Sequence, residues 1–216
     1  MSNMLSRAGA MARAVDFLKR SEIRGDYYEF GVSTGHTATF AMNAAKNLAA
    51  PPPAGGLERF FLFDSFIGLP PIVDPGDQLK DYSAIWEGRF AVGQAEVEAA
   101  LAKAGHGLEK VKFIPGFYEE SLVRPDTARI VAGSSAALLH IDCDLYTAAR
   151  DSLNFMTGRI ADGCILMFDD WFLYRGRPDR GVQKAFSEWA PNSGLIFNEY
   201  FRYHWAGICF ICNTKE

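Results

Sequence analysis

Two rhythms of apolar and polar residues alternate along this chain, and the shorter one ends in acid. Leu138-Leu139-His140-Ile141 and Cys164-Ile165-Leu166-Met167-Phe168 are brief apolar runs, the first closed by Asp142 and Asp144, the second by Asp169 and Asp170. Apolar runs of this length predict strands buried on both faces, as in a parallel sheet. The same signal predicts strands at Tyr27–Phe30, Phe60–Phe63 and Val111–Ile114. Residues 37–48, 95–104, the stretch ending at Met156 and 182–189 read as the intervening helices. Leu5, Met11, Val15 and Leu18 mark an amphipathic helix near the N-terminus. Leu195–Phe197 and Trp205–Cys212 read as a closing antiparallel strand pair. Pro51 to Gly56 breaks the chain. Residues 66–93, which hold Pro70, Pro71, Pro75, Tyr82, Trp86 and Phe90, read as a lid-like insertion. Strands alternating with helices predict an α/β fold: a doubly wound, mostly parallel seven-stranded sheet with helices on both faces, in one domain spanning 1–216.

Composition narrows the partner. The 216 residues are 49% hydrophobic and 22% charged, with a net charge of −4. That is an ordinary folded composition without the basic footprint of a nucleic-acid or anionic-membrane binder, so the expected partner is a small molecule. The N-terminus lacks the apolar stretch of a signal peptide, and no run is long enough to span a bilayer. Cys143, Cys164, Cys209 and Cys212 sit in apolar strands. In a strand, Cys209 and Cys212 point to opposite faces, so they read as core thiols of a cytoplasmic protein. A homodimer is the default assembly.

The candidate chemistry lies at the strand ends. Four carboxylates delivered to the carboxyl edge of a sheet, with no Lys or Arg between them, repel one another unless a cation joins them. A hard divalent ion with oxygen ligands is the expected guest. Glu29-Phe-Gly31-Val-Ser33-Thr-Gly35 follows strand one and opens a helix, and its small residues let a ligand approach the backbone. Ser33 in place of the middle glycine, and the negative Glu29, argue against a dinucleotide pyrophosphate. They suit a cationic head such as that of S-adenosylmethionine. Asp64, followed by Ser65 at the end of strand two, is placed to accept hydrogen bonds from a ribose. Phe117 and Tyr118, after strand three, suit either the wall of an adenine pocket or core packing. His140 reads as a core histidine, His204 as packing, and His36 as a loop residue near the cofactor or in solvent. Arg175, Arg177 and Arg180 read as a solvated turn or as an anion-recognising loop.

With these motifs in hand, the chain resembles the metal-dependent macrocin O-methyltransferase family, which acts on sugars of natural products. The resemblance is carried by the 29–35 loop, Asp64-Ser-Phe-Ile-Gly-Leu-Pro70, Gly116-Phe-Tyr-Glu-Glu-Ser-Leu122, His140-Ile-Asp-Cys-Asp-Leu-Tyr146 and Gly163-Cys-Ile-Leu-Met-Phe-Asp-Asp-Trp171. It implies a class I methyltransferase fold binding S-adenosylmethionine, with Mg2+ held by Asp142, Asp169 and Asp170. Asp144 is expected as the general base, acting beside Asp142. The expected reaction is methyl transfer to a sugar hydroxyl of a glycosylated metabolite or polysaccharide. A catechol-like acceptor, or a noncatalytic nucleoside-binding module on the same fold, remains open at this stage.

Overall fold

The structure is a computed structural model that describes residues 4–47 and 55–215. Its strands are β1 (Arg24–Phe30), β2 (Gly56–Asp64), β3 (Val111–Pro115), β4 (Ala136–Ile141), β5 (Ile160–Phe168), β6 (Leu195–Tyr203) and β7 (Gly207–Thr214). They form one sheet in the order β3-β2-β1-β4-β5-β7-β6. The first five are parallel, and β7 and β6 close the sheet antiparallel. The helices are α1 (Arg7–Arg20), α2 (His36–Asn47), α3 (Gln94–Lys103), α4 (Tyr118–Ser121), α5 (Pro125–Ile130), α6 (Tyr146–Met156) and α7 (Gly181–Trp189). Among the described residues no helix is long and apolar enough to cross a membrane.

Strand alternation sorts the sheet into two apolar layers. Tyr27, Leu62, Leu138, Ile165 and Met167 pack with Ala14, Val15 and Leu18 of α1 and with Ala38 and Ala41 of α2. Tyr28, Phe30, Phe61, Phe63, Leu139 and Phe168 pack with Leu153 and Met156 of α6 and with Val182 and Trp189 of α7. Cys209 belongs to the first layer and Cys212 to the second, as period-two geometry requires. All four cysteines are buried and free.

Three elements differ from the sequence pattern. β6 runs on to Tyr203 because it is an edge strand whose exposed Asn198, Glu199 and Arg202 imitate a loop. Trp205 lies in the exposed turn between β6 and β7 rather than in β7. The short helices α4 and α5 fall below the length at which helical spacing can be read, although Pro125 opens α5 where proline is tolerated. The Pro51–Ala54 break and the C-terminal end of the helix predicted over 37–48 lie outside the described residues.

Two connections set up the site. Leu5 bridges Tyr203, and the His204 amide donates to the Leu5 carbonyl at 2.7 Å, so the start of α1 is stitched to the β6–β7 hairpin. Residues 65–93 form an irregular excursion with one turn of 3-10 helix at Pro75–Asp77. Its ends meet where the Leu69 amide donates to Arg89 and the Gly88 amide to Leu69, at 3.0 and 2.9 Å.

Candidate active site

The sheet order reverses direction between β1 and β4, and a crevice opens there at the carboxyl ends of the strands. A cavity of about 540 Å3 occupies it, within the usual range for a small-molecule site. Gly31, Ser33, Asp64, Ser65, Phe117, Tyr118, Asp142, Asp144 and Asp170 all line this cavity. So do His36, Arg7, Arg89 and Asp77, of which sequence reasoning singled out only His36.

Two glycines of the loop have different duties. Gly31 has φ +92, and a Cβ there would lie 1.7 Å from the Asp142 carbonyl oxygen. The ligand loop after β1 therefore rests directly on the backbone that carries the first acid of β4. Gly35 turns away from the cavity, and its missing side chain admits Val97 of α3, 2.9 Å from the Cβ position. Gly35 thus packs the loop against α3 and does not touch the ligand space.

Asp64 holds the loop's shape. Its Oδ2 accepts the amides of Val32 and Ser33 at 2.7 and 3.0 Å, and Oδ1 accepts the Phe66 amide at 2.8 Å. Those loop amides are the donors a pyrophosphate would need, so this internal acceptor disfavours a dinucleotide. Glu29, expected from the sequence to face the cofactor, does not reach the cavity. That side chain is fully buried behind the loop, off the cavity wall, with its Oε1 3.7 Å from Nδ1 of His140. Of the remaining wall residues, Ser65 donates to the Gly68 carbonyl at 2.6 Å, and the Tyr118 hydroxyl donates to Phe63 at 3.0 Å.

Register explains the buried charges. Glu29 pairs with His140 across β1–β4, and His140 with Met167 across β4–β5, so these residues share one face. Two residues further on, the same face carries Gly31, Asp142 and Asp169. Asp142, Asp169 and His140 each offer a ligand atom within 4.8 Å of the others. His140 is wholly buried between Glu29 and Asp169, with neither ring nitrogen within hydrogen-bonding distance of a partner. Burial opposes its charge, but the two acids prevail and raise its pKa to about 10.

The four acids are not equivalent. Asp169 has the positive partner that local sequence could not supply: Arg7 forms a fork on its carboxylate, with Nε at 2.8 and 3.0 Å. Arg7 is the first residue of α1, where a cation opposes the helix dipole and needs a nearby anion. His204 adds a second contact, Nε2 to Oδ1 at 3.0 Å, while its Nδ1 accepts the Ala206 amide. An accepting Nδ1 leaves Nε2 as the protonated nitrogen, so neutral His204 donates to Asp169. Burial works against the Asp169 charge, yet His140, His204 and Arg7 together hold its carboxyl below the ordinary range. His204 is thus a ligand of Asp169 and not only packing.

Asp142, Asp144 and Asp170 are poorly compensated. Burial pushes all three carboxyls up, and repulsion from neighbouring carboxylates pushes them further, Asp144 to about 7. Asp170 accepts the Asp144 amide at 2.9 Å, and Asp144 has φ +57, a backbone strain this contact helps to fix. Asp142 and Asp144 make no side-chain hydrogen bonds among the described residues. Such mutually repelling carboxylates offer oxygen donors of the kind a hard dication takes, while the ligand atoms that converge within 4.8 Å are those of His140, Asp142 and Asp169 and do not include Asp170.

The lid segment is tied to the same place. Asp77 caps α6 from the lid: its carboxylate accepts the Tyr146 amide and, at 3.0 Å, the Thr147 hydroxyl. Arg175 and Arg180 donate to the lid carbonyls of Asp81 and Gln78 at 2.9 Å each, and Arg177 pairs with Asp179. Arg175 and Arg180 thus hold the 65–93 excursion from outside the cavity. Tyr82 stacks on Tyr174 at 5.2 Å, and Phe90 reaches the cavity wall.

The family described as macrocin-O-methyltransferase (TylF) matches residues 5–193. The chain is 26% identical over 199 residues to the 8-demethyl-8-(2,3-dimethoxy-alpha-L-rhamnosyl)-tetracenomycin-C 4'-O-methyltransferase of Streptomyces olivaceus, covering 85% of this chain and 70% of that one. Among solved structures it is similar to the O-methyltransferase NovP, with TM-score 0.73 and 19% identity over 97% of this chain and 80% of that one. It is also similar to the calicheamicin methyltransferase CalS11, with TM-score 0.71 and 21% identity over 94% of this chain and 76% of that one. Likeness at that identity establishes the fold, which is the Rossmann-like class expected from the sequence. The match of residues 5–193 establishes the family: the chain belongs to the macrocin O-methyltransferases, S-adenosylmethionine-dependent enzymes that methylate oxygen.

Proposed function

We propose that this protein is a Mg2+-dependent O-methyltransferase that moves the methyl group of S-adenosylmethionine to a sugar hydroxyl of a glycosylated metabolite or polysaccharide. One observation carries the reading. The loop that would seat the donor and the acid cluster that would seat the acceptor share one cavity, and Gly31 lies against the Asp142 backbone. The sugar acceptor is favoured over a catechol by the rhamnosyl-linked substrate in the name of the Streptomyces olivaceus relative.

Asp142, Asp169 and Asp170 would hold the ion. A bound dication supplies Lewis-acid polarisation of a chelated hydroxyl and lowers its pKa. The chain's own residues do the rest. Asp64 has a carboxylate lone pair left for a ribose hydroxyl after its three amide contacts. Phe117 and Tyr118 wall the adenine. Asp144 takes the acceptor proton as the hydroxyl oxygen bonds the methyl carbon and the carbon–sulfur bond of the donor breaks. The neutral thioether leaves, and the lid over residues 66–93 keeps water out. Orientation of donor and acceptor in such a site is worth roughly 7–11 kcal/mol in favourable cases.

The test is calorimetric and kinetic together. Chelation with EDTA should abolish methyl transfer to glycosides, and added Mg2+ should restore it. Asp142→Ala should lose metal-stimulated turnover and keep donor affinity, because the Asp142 carbonyl beside Gly31 survives that change. Turnover indifferent to chelation, or an equal collapse of donor binding, would defeat this assignment.

A further inference from the structure

Three arginines line the cavity, and two are already engaged. Arg7 is forked on Asp169, and Arg150 donates to Asp151 at 2.8 Å. Arg89 makes no side-chain hydrogen bond and no ion pair among the described residues. Its guanidinium carbon instead lies over two rings, 4.5 Å from the Trp86 centroid and 4.3 Å from that of Phe90. Both rings are large apolar groups left in contact with water, at 55% and 44% exposure, which stacking alone does not require.

The backbone fixes this arrangement. Arg89 sits at the neck of the lid, its carbonyl bound by the Leu69 amide, beside the Gly88 amide's bond back to Leu69. The next residue, Phe90, is held at φ +65, which an aromatic residue rarely adopts without reason. A guanidinium stacked on its faces keeps its N–H edge free, and that edge is a planar fork matched to a carboxylate or phosphate. Arg89 lines the same cavity as Asp142, Asp144 and Asp170, the acids on its acceptor side.

We propose that Arg89, resting over the rings of Trp86 and Phe90, is an anion-recognising residue that selects an acceptor sugar bearing a carboxylate or phosphate group over a neutral glycoside. This rests on the sugar O-methyltransferase reading above and adds the charge of its substrate. Two sources share the chemistry: a hexuronate, with the carboxylate on the sugar itself, or a nucleoside-diphosphate hexose, with the anion on the attached diphosphate, which stays on the sugar through methyl transfer. The acid cluster alone would repel either one, so a free cation at the rim has a selective role rather than a merely compensating one.

The experiment is titration calorimetry on the full chain with S-adenosylhomocysteine and Mg2+ present. The probes are methyl glucoside, methyl glucuronoside and UDP-glucose. A charge-assisted fork should make one of the charged probes roughly ten- to hundredfold tighter than the neutral one, and which probe wins identifies the source. Arg89→Ala should erase that preference, and Arg89→Lys should restore part of it. Affinity for S-adenosylhomocysteine and the melting temperature should stay constant across the series. Charged probes no tighter than methyl glucoside, undetectable binding included, overturn the proposal. So does a preference that survives in Arg89→Ala, or a loss that falls equally on charged and neutral probes. Failure of S-adenosylhomocysteine to bind the unaltered protein counts against the methyltransferase reading instead, while the charge preference can still be measured.

Discussion

Gly31→Ala is the sharpest perturbation of the fold's central junction. The new Cβ would lie 1.7 Å from the Asp142 oxygen, 2.6 Å from its carbonyl carbon and 3.3 Å from the Cys143 amide. Ordinary contact begins at 3.4 Å, so the end of β4 or the loop must retreat by about 1.7 Å. All three obstacles are backbone atoms, which cannot rotate aside. Two costs combine. Holding an alanine at φ +92 costs roughly 1–2 kcal/mol, and overpacking costs roughly another 1–3 kcal/mol. At roughly 2–4 °C per kcal/mol for a chain of this size, the melting temperature should fall by at least about 4 °C. Gly88→Ala is the control, because Gly88 has φ +77 with nothing within 4 Å of its Cβ position. It carries the backbone cost and no clash. The distinguishing assay is calorimetry of S-adenosylhomocysteine and of Mg2+ on both variants. Gly31→Ala should weaken both ligands, since the donor loop and the Asp142 carboxylate move together, whereas Gly88→Ala should weaken neither. Should Gly31→Ala melt with Gly88→Ala and bind both ligands normally, the loop and the acid cluster are not mechanically joined.

Two further outcomes follow from named contacts. Asp77→Ala removes the distant cap of α6 and the lid's anchor; a lost cap costs about 0.5–2 kcal/mol, so the melt should drop by several degrees. Limited proteolysis should then cut within residues 66–93 sooner than in the unaltered protein, and an unchanged cleavage pattern would show that the anchor lies elsewhere. Asp144→Asn should lower kcat by about 10^2 or more while Mg2+ and donor affinities hold, the signature of a lost general base. Single-turnover rates that match the unaltered enzyme would remove Asp144 from proton transfer.

Much of this site is legible because its determinants are local. A parallel strand advertises itself as an apolar run, and the residue after the run falls on the binding edge; Asp64, Asp142, Asp144 and Asp170 are all found that way. Glu29 and Gly35 show the limit of that rule. One residue inside the strand end is buried rather than presented, and the loop's last glycine answers to a helix rather than to the ligand. What sequence could not yield are the long-range partners. Arg7 meets Asp169 across 162 residues, and nothing in an amphipathic first helix marks one arginine as a counter-ion. Asp77 caps a helix 69 residues downstream, where a local search finds no capping side chain. The uncommitted guanidinium of Arg89 becomes visible only once its carbon is seen to rest over Trp86 and Phe90, with no acid paired to it among the described residues.

The stitching of Leu5 to the β6–β7 hairpin bears on how the protein is made. Asp169 takes one stabilising contact from residue 7 and another from residue 204, so both are in place only after the β6–β7 hairpin has been synthesised. Until then Leu5 has no hairpin to hold it, and the start of α1 that carries Arg7 is not fixed over Asp169. If Asp169 serves the reaction as proposed, a refolding experiment should see activity return together with docking of the β6–β7 hairpin and not before it.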